Sequence, residues 1–111
     1  MPIIYEVKIT TQAQEQLEEI VDYISKELMA PEVANKLLDK MESSIMSLAK
    51  FPERHQLVDE EPWKTEGIRK IIVNNFLVYY WIDMVANIVQ VIAVIYNKRD
   101  QIEQLKRIDM D

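Results

Sequence analysis

Two places in the chain carry side chains suited to phosphate or to a charged partner. Arg69 and Lys70 open one apolar run, and Tyr96, Lys98 and Arg99 close another, VIAVIYNKRD, which spans residues 91–100. Cationic groups neutralise phosphate, and an aromatic face beside them stacks on an unpaired base; the same residue types also anchor protein interfaces. The sharpest reading is a cationic and aromatic surface drawn from Arg69, Tyr79 or Trp81, Tyr96 and Arg99. The plain alternative pairs Arg99 with Asp100 or with the acidic helices, at small net energy when exposed. In a simple antiparallel meander the two cationic ends need not meet.

The remaining candidates read more plainly. His55 is the only histidine. It stands in a charged stretch without a Ser or Cys nucleophile motif, so it reads as a surface residue rather than a catalytic base. Ser43, Ser44 and Ser47 fall within a helical pattern that lacks the sharp turn of an exposed nucleophile. Asp59, Glu60 and Glu61 are consecutive carboxylates beside Pro62, without calcium-loop spacing, and read as solvated. With Gly67 the single glycine, a glycine-rich phosphate cradle is excluded. With no cysteine, disulfides and thiolate metal sites are excluded too. Neither a cofactor nor a metal is expected.

The chain of 111 residues, 49% of them apolar, suits one domain over residues 1–111 with a modest core. No apolar run approaches the roughly 20 residues of a membrane span. The start, MPIIYEVKITT, lacks the basic and long apolar stretches of a signal peptide. A cytoplasmic protein is the expectation. Nineteen acidic residues oppose 13 basic ones, for a net charge of −6. Any nucleic-acid site must then be a local basic patch on an acidic body, and that body suits a basic partner.

Periodicity places these residues on elements. IIYEVKIT alternates as a strand, and Thr11 with Gln14 has the spacing of a capping box. Ala13, Leu17, Ile20, Val21, Ile24 and Leu28 then make one helical stripe. Pro31 starts a second helix, whose stripe is Val33, Ala34, Leu37, Leu38, Met41, Ile45 and Leu48; Phe51-Pro52 ends it. The short link makes an antiparallel helical hairpin. Residues 53–66 read as a polar loop. IRKIIV, FLVYYWID and IVQVIAVIY are three strands, joined by turns at Asn74-Asn75 and at Met84 to Asn87. Asp100 to Arg107 can add a final helix. The expected class is α+β, in the order β-α-α-β-β-β(-α), with the hairpin on one face of a mainly antiparallel four-stranded sheet. Tyr79, Tyr80 and Trp81 are consecutive, so at least one large aromatic falls on each face, and an uncovered aromatic face marks a partner surface.

Three stretches, YISKELMAPEVANKLLDKMESSIMSLAKFPE, GIRKIIVNNFLVYYWID and VIAVIYNKRD, resemble the RelE/ParE superfamily of bacterial type II toxin–antitoxin (plasmid stabilisation) toxins. Gly67-Ile68-Arg69, Leu77-Val78-Tyr79-Tyr80 with Asp83, and Arg99-Asp100 carry most of the likeness, which runs from about residue 5 to 100. The resemblance implies a growth-inhibiting toxin neutralised by a cognate antitoxin, alone as a homodimer or with the antitoxin in a heterotetramer. RelE-like members cleave mRNA on the ribosome, which requires a base, an acid and phosphate-facing cations; ParE-like members inhibit DNA gyrase. Carried across, the nuclease roles of charge stabilisation and acid/base transfer fall to Arg69, Tyr96, Lys98 and Arg99. Phe76 stands where those nucleases place an arginine, and Asn97 where they place another basic residue, with Tyr96 or Lys98 as substitutes one position away. The long hairpin and the Arg99-Asp100 ending look more like ParE. A third expectation is an inactive homologue that only binds an antitoxin.

Overall fold

The structure, a computed structural model, describes residues 3–96. Lys98, Arg99 and the expected final helix lie outside the described residues. Strand β1 (Glu6–Ile9) leads into helix α1 (Thr11–Asp22), and α2 (Pro31–Met46) returns antiparallel to it. Strands β2 (Arg69–Val73), β3 (Phe76–Asp83) and β4 (Ile88–Tyr96) follow as two hairpins. The sheet order is β1-β4-β3-β2, with β1 parallel to β4 and the other pairs antiparallel. The result is an α+β fold of two helices on one face of a mixed, mainly antiparallel sheet.

The hairpin turns follow from backbone chemistry. Asn74 and Asn87 both take positive φ, at 54° and 57°, which asparagine tolerates because its short side chain can bond locally. Asp83 closes the second turn by accepting from the backbone N–H groups of Val85 and Ala86.

Helix α1 begins one residue earlier than its capping-box spacing suggests. Thr10, not Thr11, is the N-cap, and its hydroxyl accepts from the Ala13 N–H at 3.2 Å. Thr10 is also the last residue that the sheet holds, donating its N–H to Val91 at 3.0 Å. Extended backbone must therefore give way to helix at this residue, and Gln14 turns forward to Glu18 instead of back to the cap.

The hairpin tip departs from the expected stripes. After Asp22 the helix widens into a π-helical turn, Tyr23–Glu27, and ends at Met29 with φ 51°. The widened turn shifts the angular phase, so Leu28 rotates off the stripe and is exposed, as is Val33 just inside α2. Ala13, Leu17, Leu37, Met41, Ile45 and Leu48 do face the sheet and are buried. Removing such a side chain from water contributes roughly 1.5–3 kcal/mol for each large aliphatic residue.

Strand β4 carries the main irregularity. Tyr79 pairs with Ala93 but Tyr80 pairs with Val91, so Ile92 is an extra residue, a bulge. It re-phases the strand: Val89 and Val91 face the helices before it, and Val94 after it. Because β1 stops at Ile9, opposite Val91, the β4 edge beyond lacks a strand partner. Gln16 of α1 fills the gap, its Oε1 accepting from the Val94 N–H at 2.8 Å. Replacing Gln16 by Ala strands a partly buried donor, so urea unfolding should show a loss of about 1–2 kcal/mol. Gln16→Glu, which keeps an acceptor oxygen, should cost less.

Candidate functional site

The segment after α2 was expected to be a plain polar loop. Instead it crosses the sheet from one edge to the other. Near β1, Tyr5 donates its N–H to Ala49 at 2.8 Å, and Ile4 bridges Lys50. Near β2, Leu57 bridges Arg69, and Val58 donates to Ile68 at 3.0 Å. Phe51, with φ 48°, turns the chain into the short 3-10 turn Pro52–Arg54. Two edge strands are thereby capped at one end by the same stretch of backbone.

Three side chains hold the middle of that crossing by its carbonyls. The Tyr80 hydroxyl donates to the Pro52 carbonyl at 2.5 Å. Arg69 Nη1 donates to the carbonyls of His55 at 2.6 Å and Glu53 at 3.3 Å. Arg54 donates to the carbonyls of Lys50 and Phe51, and to Ser47 Oγ at 3.3 Å. His55 stands edge-on to the Tyr80 ring, with centroids 6.4 Å apart and planes at 88°. Arg54, His55, Arg69 and Tyr80 thus form a cationic and aromatic cluster on the helix side of the sheet.

The electrostatics follow from this packing. Burial pushes the Tyr80 phenol up to about 12, so it is a proton donor at neutral pH and not a base. Burial, then the charges of Arg54 and Arg69, hold His55 below its ordinary 6.5. It is a neutral, weakly basic imidazole at neutral pH.

Of the described residues that the sequence proposed as a cationic and aromatic surface, Arg69 enters this cluster. Arg69 shares its face with Ile71 and Val73, whereas Tyr79 and Trp81 point to the opposite face, so these do not make one surface. Tyr96 ends β4 opposite Phe76, while Arg69 is level with Tyr80. Two strands and four residues separate them, about 16 Å by ordinary strand spacing. His55, set aside as a surface residue, is partly buried. Arg54 and Tyr80 were not singled out as site residues. Parity could have exposed Tyr80: it alternates with Val78 and Ile82 on the core face, and a buried hydroxyl there needs an acceptor.

The face away from the helices is apolar and aromatic. Val58, Ile68, Tyr79, Ile92 and Ile95 line a groove of about 390 Å³, with Trp63 and Glu60 at its lip. Trp63 and Trp81 are both exposed. The Trp81 ring lies beside Gly67, which takes φ +85° and closes the turn beneath it. Among the described residues no group of three or more His, Cys, Asp or Glu could hold a metal ion, and no helix is long and apolar enough to cross a membrane.

The fold is a two-helix hairpin on a four-stranded mixed sheet, with Arg54 and Arg69 turned onto backbone carbonyls. The chain belongs to the family of ParE toxins of the type II toxin–antitoxin system parDE, whose pattern matches residues 7–101. Two solved structures share the fold. The chromosomal ParDE system of P. aeruginosa matches with a TM-score of 0.70 and 18% identity, over 86% of this chain and 98% of that one. The RelBE2 toxin–antitoxin complex of Mycobacterium tuberculosis matches with a TM-score of 0.59 and 19% identity, over 86% and 93%. No curated protein sequence matches significantly.

Two outcomes are expected from the cluster. Tyr80→Phe leaves the Pro52 carbonyl without its donor and should lower unfolding free energy by about 1–2 kcal/mol. The depressed His55 means that the unfolded chain binds a proton that the fold refuses, so this contribution is complete above the unfolded value of 6.5 and is lost as pH falls through the folded one. Urea midpoints at about pH 7.5 and 5.5 should therefore diverge less in His55→Asn than in the parent.

Proposed function

We propose that this ParE-type toxin arrests growth by binding DNA gyrase, not by cutting RNA, and that an antitoxin neutralises it. One observation supports the binding reading above others: the arginines of the Tyr80 cluster are committed to backbone carbonyls. Cutting RNA at the 2′-hydroxyl requires a base, an acid and cations aimed at the phosphate. Here the Tyr80 hydroxyl donates its hydrogen bond to the Pro52 carbonyl, and His55 is a weakened base beside two guanidiniums. The net charge of −6 also opposes docking on ribosomal RNA. Gyrase follows from the ParE family; the antitoxin follows from the likeness to the ParDE system and the RelBE2 complex.

Purified chain should block supercoiling by gyrase, or trap cleaved DNA, and leave messenger intact in a translating extract. Ribosome-dependent cutting with unaffected gyrase would overturn the proposal and return the catalytic roles to Arg69, Tyr96, Lys98 and Arg99. In that event Arg69→Ala should lower cutting at least about tenfold, roughly 1.4 kcal/mol of barrier. Harmless overexpression without an antitoxin would count against both targets, leaving an inactive homologue that only binds an antitoxin.

A further inference from the structure

The groove on the face away from the helices has a floor and a wall, each made by a definite device. In the floor, Tyr79 of β3 stands directly opposite Ala93 of β4, and the small alanine leaves a depression bordered by Tyr79, Ile92 and Ile95. The bulge supplies part of that border. The extra residue Ile92 and its neighbour Ala93 both line the groove, where strict alternation would turn one of them to the helices.

The wall is the segment 58–68, fastened largely by its own backbone. Lys64 donates its N–H to Glu60 at 2.9 Å, Glu66 to Pro62 at 3.1 Å and Ile68 to Trp63 at 3.0 Å. Glu61 turns its carboxylate inward, accepting from the Thr65 N–H at 2.9 Å and its hydroxyl at 2.7 Å. These bonds hold Trp63 at the lip with 52% of its surface exposed, and Trp81, 38% exposed, stands on the same face. A tryptophan held on an ordered turn beside a preformed apolar groove loses little freedom when it is covered, the property of a binding anchor.

Charge decides what covers this anchor. The charged residue in the lining is Glu60, and the turn that carries it, residues 59–66, holds four carboxylates against one ammonium, Lys64. Lys70 also lies on this face, opposite Tyr79. A phosphate backbone is repelled by that turn, so the aromatics are not a platform for nucleic-acid bases. A purely apolar cover would strip water from Glu60 without replacing it. The complement is a protein surface where an apolar side chain stands beside Lys or Arg. An enzyme that holds DNA displays such cations for the phosphates, and a chain of net charge −6 is drawn towards them.

We propose that this groove is the face through which the toxin engages its target enzyme. An apolar side chain of the target enters over Ala93 and is covered by Trp63, while a flanking Lys or Arg meets Glu60. This assignment rests on the gyrase reading and adds the face, the anchor and the charge of the contact. The cationic groups that the target keeps for DNA then become the means by which an acidic protein finds it.

Biolayer interferometry of the full chain on purified gyrase holoenzyme, with hydrogen exchange of the complex, tests this. Residues 58–68 and 91–95 should gain protection. Trp63→Ala and Glu60→Lys should each weaken binding at least about tenfold, and raise by a similar factor the concentration that halves supercoiling. Met29→Asn, which removes a more exposed apolar side chain at the hairpin tip, should change neither. If circular dichroism shows that Trp63→Ala has not folded, Glu60→Lys decides, and its affinity should also fall less steeply with salt than the parent's. Gyrase binding that protects only α1 and α2, or that both substitutions leave unchanged, sinks the groove assignment and leaves the gyrase reading standing. A dimer of the chain alone that Trp63→Ala dissociates in sedimentation would give the groove to a second copy and overturn the assignment. Absence of gyrase binding sinks the gyrase reading, and two nine-residue peptides with a central Leu, one flanked by Arg and one by Glu, then judge the groove. Amide shifts at Tyr79 and Ile92 with the Arg peptide alone uphold its chemistry; equal or absent shifts overturn it.

Discussion

One buried hydrogen bond, from the Tyr80 hydroxyl to the Pro52 carbonyl, joins the sheet to the chain returning from the helical hairpin. Much of the architecture depends on it. Pro52 lies midway along the segment that spans the sheet from the β1 edge to the β2 edge, and Tyr80 stands on inner strand β3 beneath it. With the middle pinned, Lys50 can bridge Ile4 on one side while Leu57 bridges Arg69 on the other. The arginines of the segment and of β2 then serve the remaining carbonyls. A backbone acceptor taken from water needs a donor, and in this fold that need is met by Tyr80, Arg54 and Arg69.

The strands were legible because their cause is local. Runs of β-branched and aromatic residues, separated by turns at Asn74 and at Asn87, set β2, β3 and β4 almost to the residue. The hairpin was legible in the apolar stripes and in Pro31. Features set by distant contacts were not. Thr10 became the cap because Val91, far along the chain, holds its backbone. Residues 53–66 look solvated by composition, yet Val58 is 1% exposed because β2 offers an edge to cover. Arg69 was legible as a cation of interest, but its role is decided by carbonyls of residues 53 and 55, which no side-chain pattern announces.

The two sides of the sheet differ in chemistry. The side away from the helices presents aromatics and an apolar groove, and the helical side presents a hairpin whose cleft is rimmed with carboxylate. A protein acting by binding needs one surface for its target and a way to be held in check. The two grooves are chemically unlike and share no lining residue. The acidic body, awkward for a reader of phosphates, is consistent with recognition between proteins.

The bulge at Ile92 has a consequence for how this chain can vary. Side chains alternate along a strand, so one extra residue exchanges the two faces for everything that follows it. Val94 reaches the helical core because Ile92 stands outside the alternation, and Gln16 meets the Val94 amide in that register. Drawing Ile92 into the ladder opposite Tyr79 would send Val94 outward and Ile95 inward, whereas deleting it would leave Tyr79 opposite Ala93 and Val78 opposite Val94 with the same faces. The facing of VIAVIY therefore depends on the bulge staying a bulge: one residue can be lost there without reversing the strand, but the extra residue cannot join the ladder without doing so.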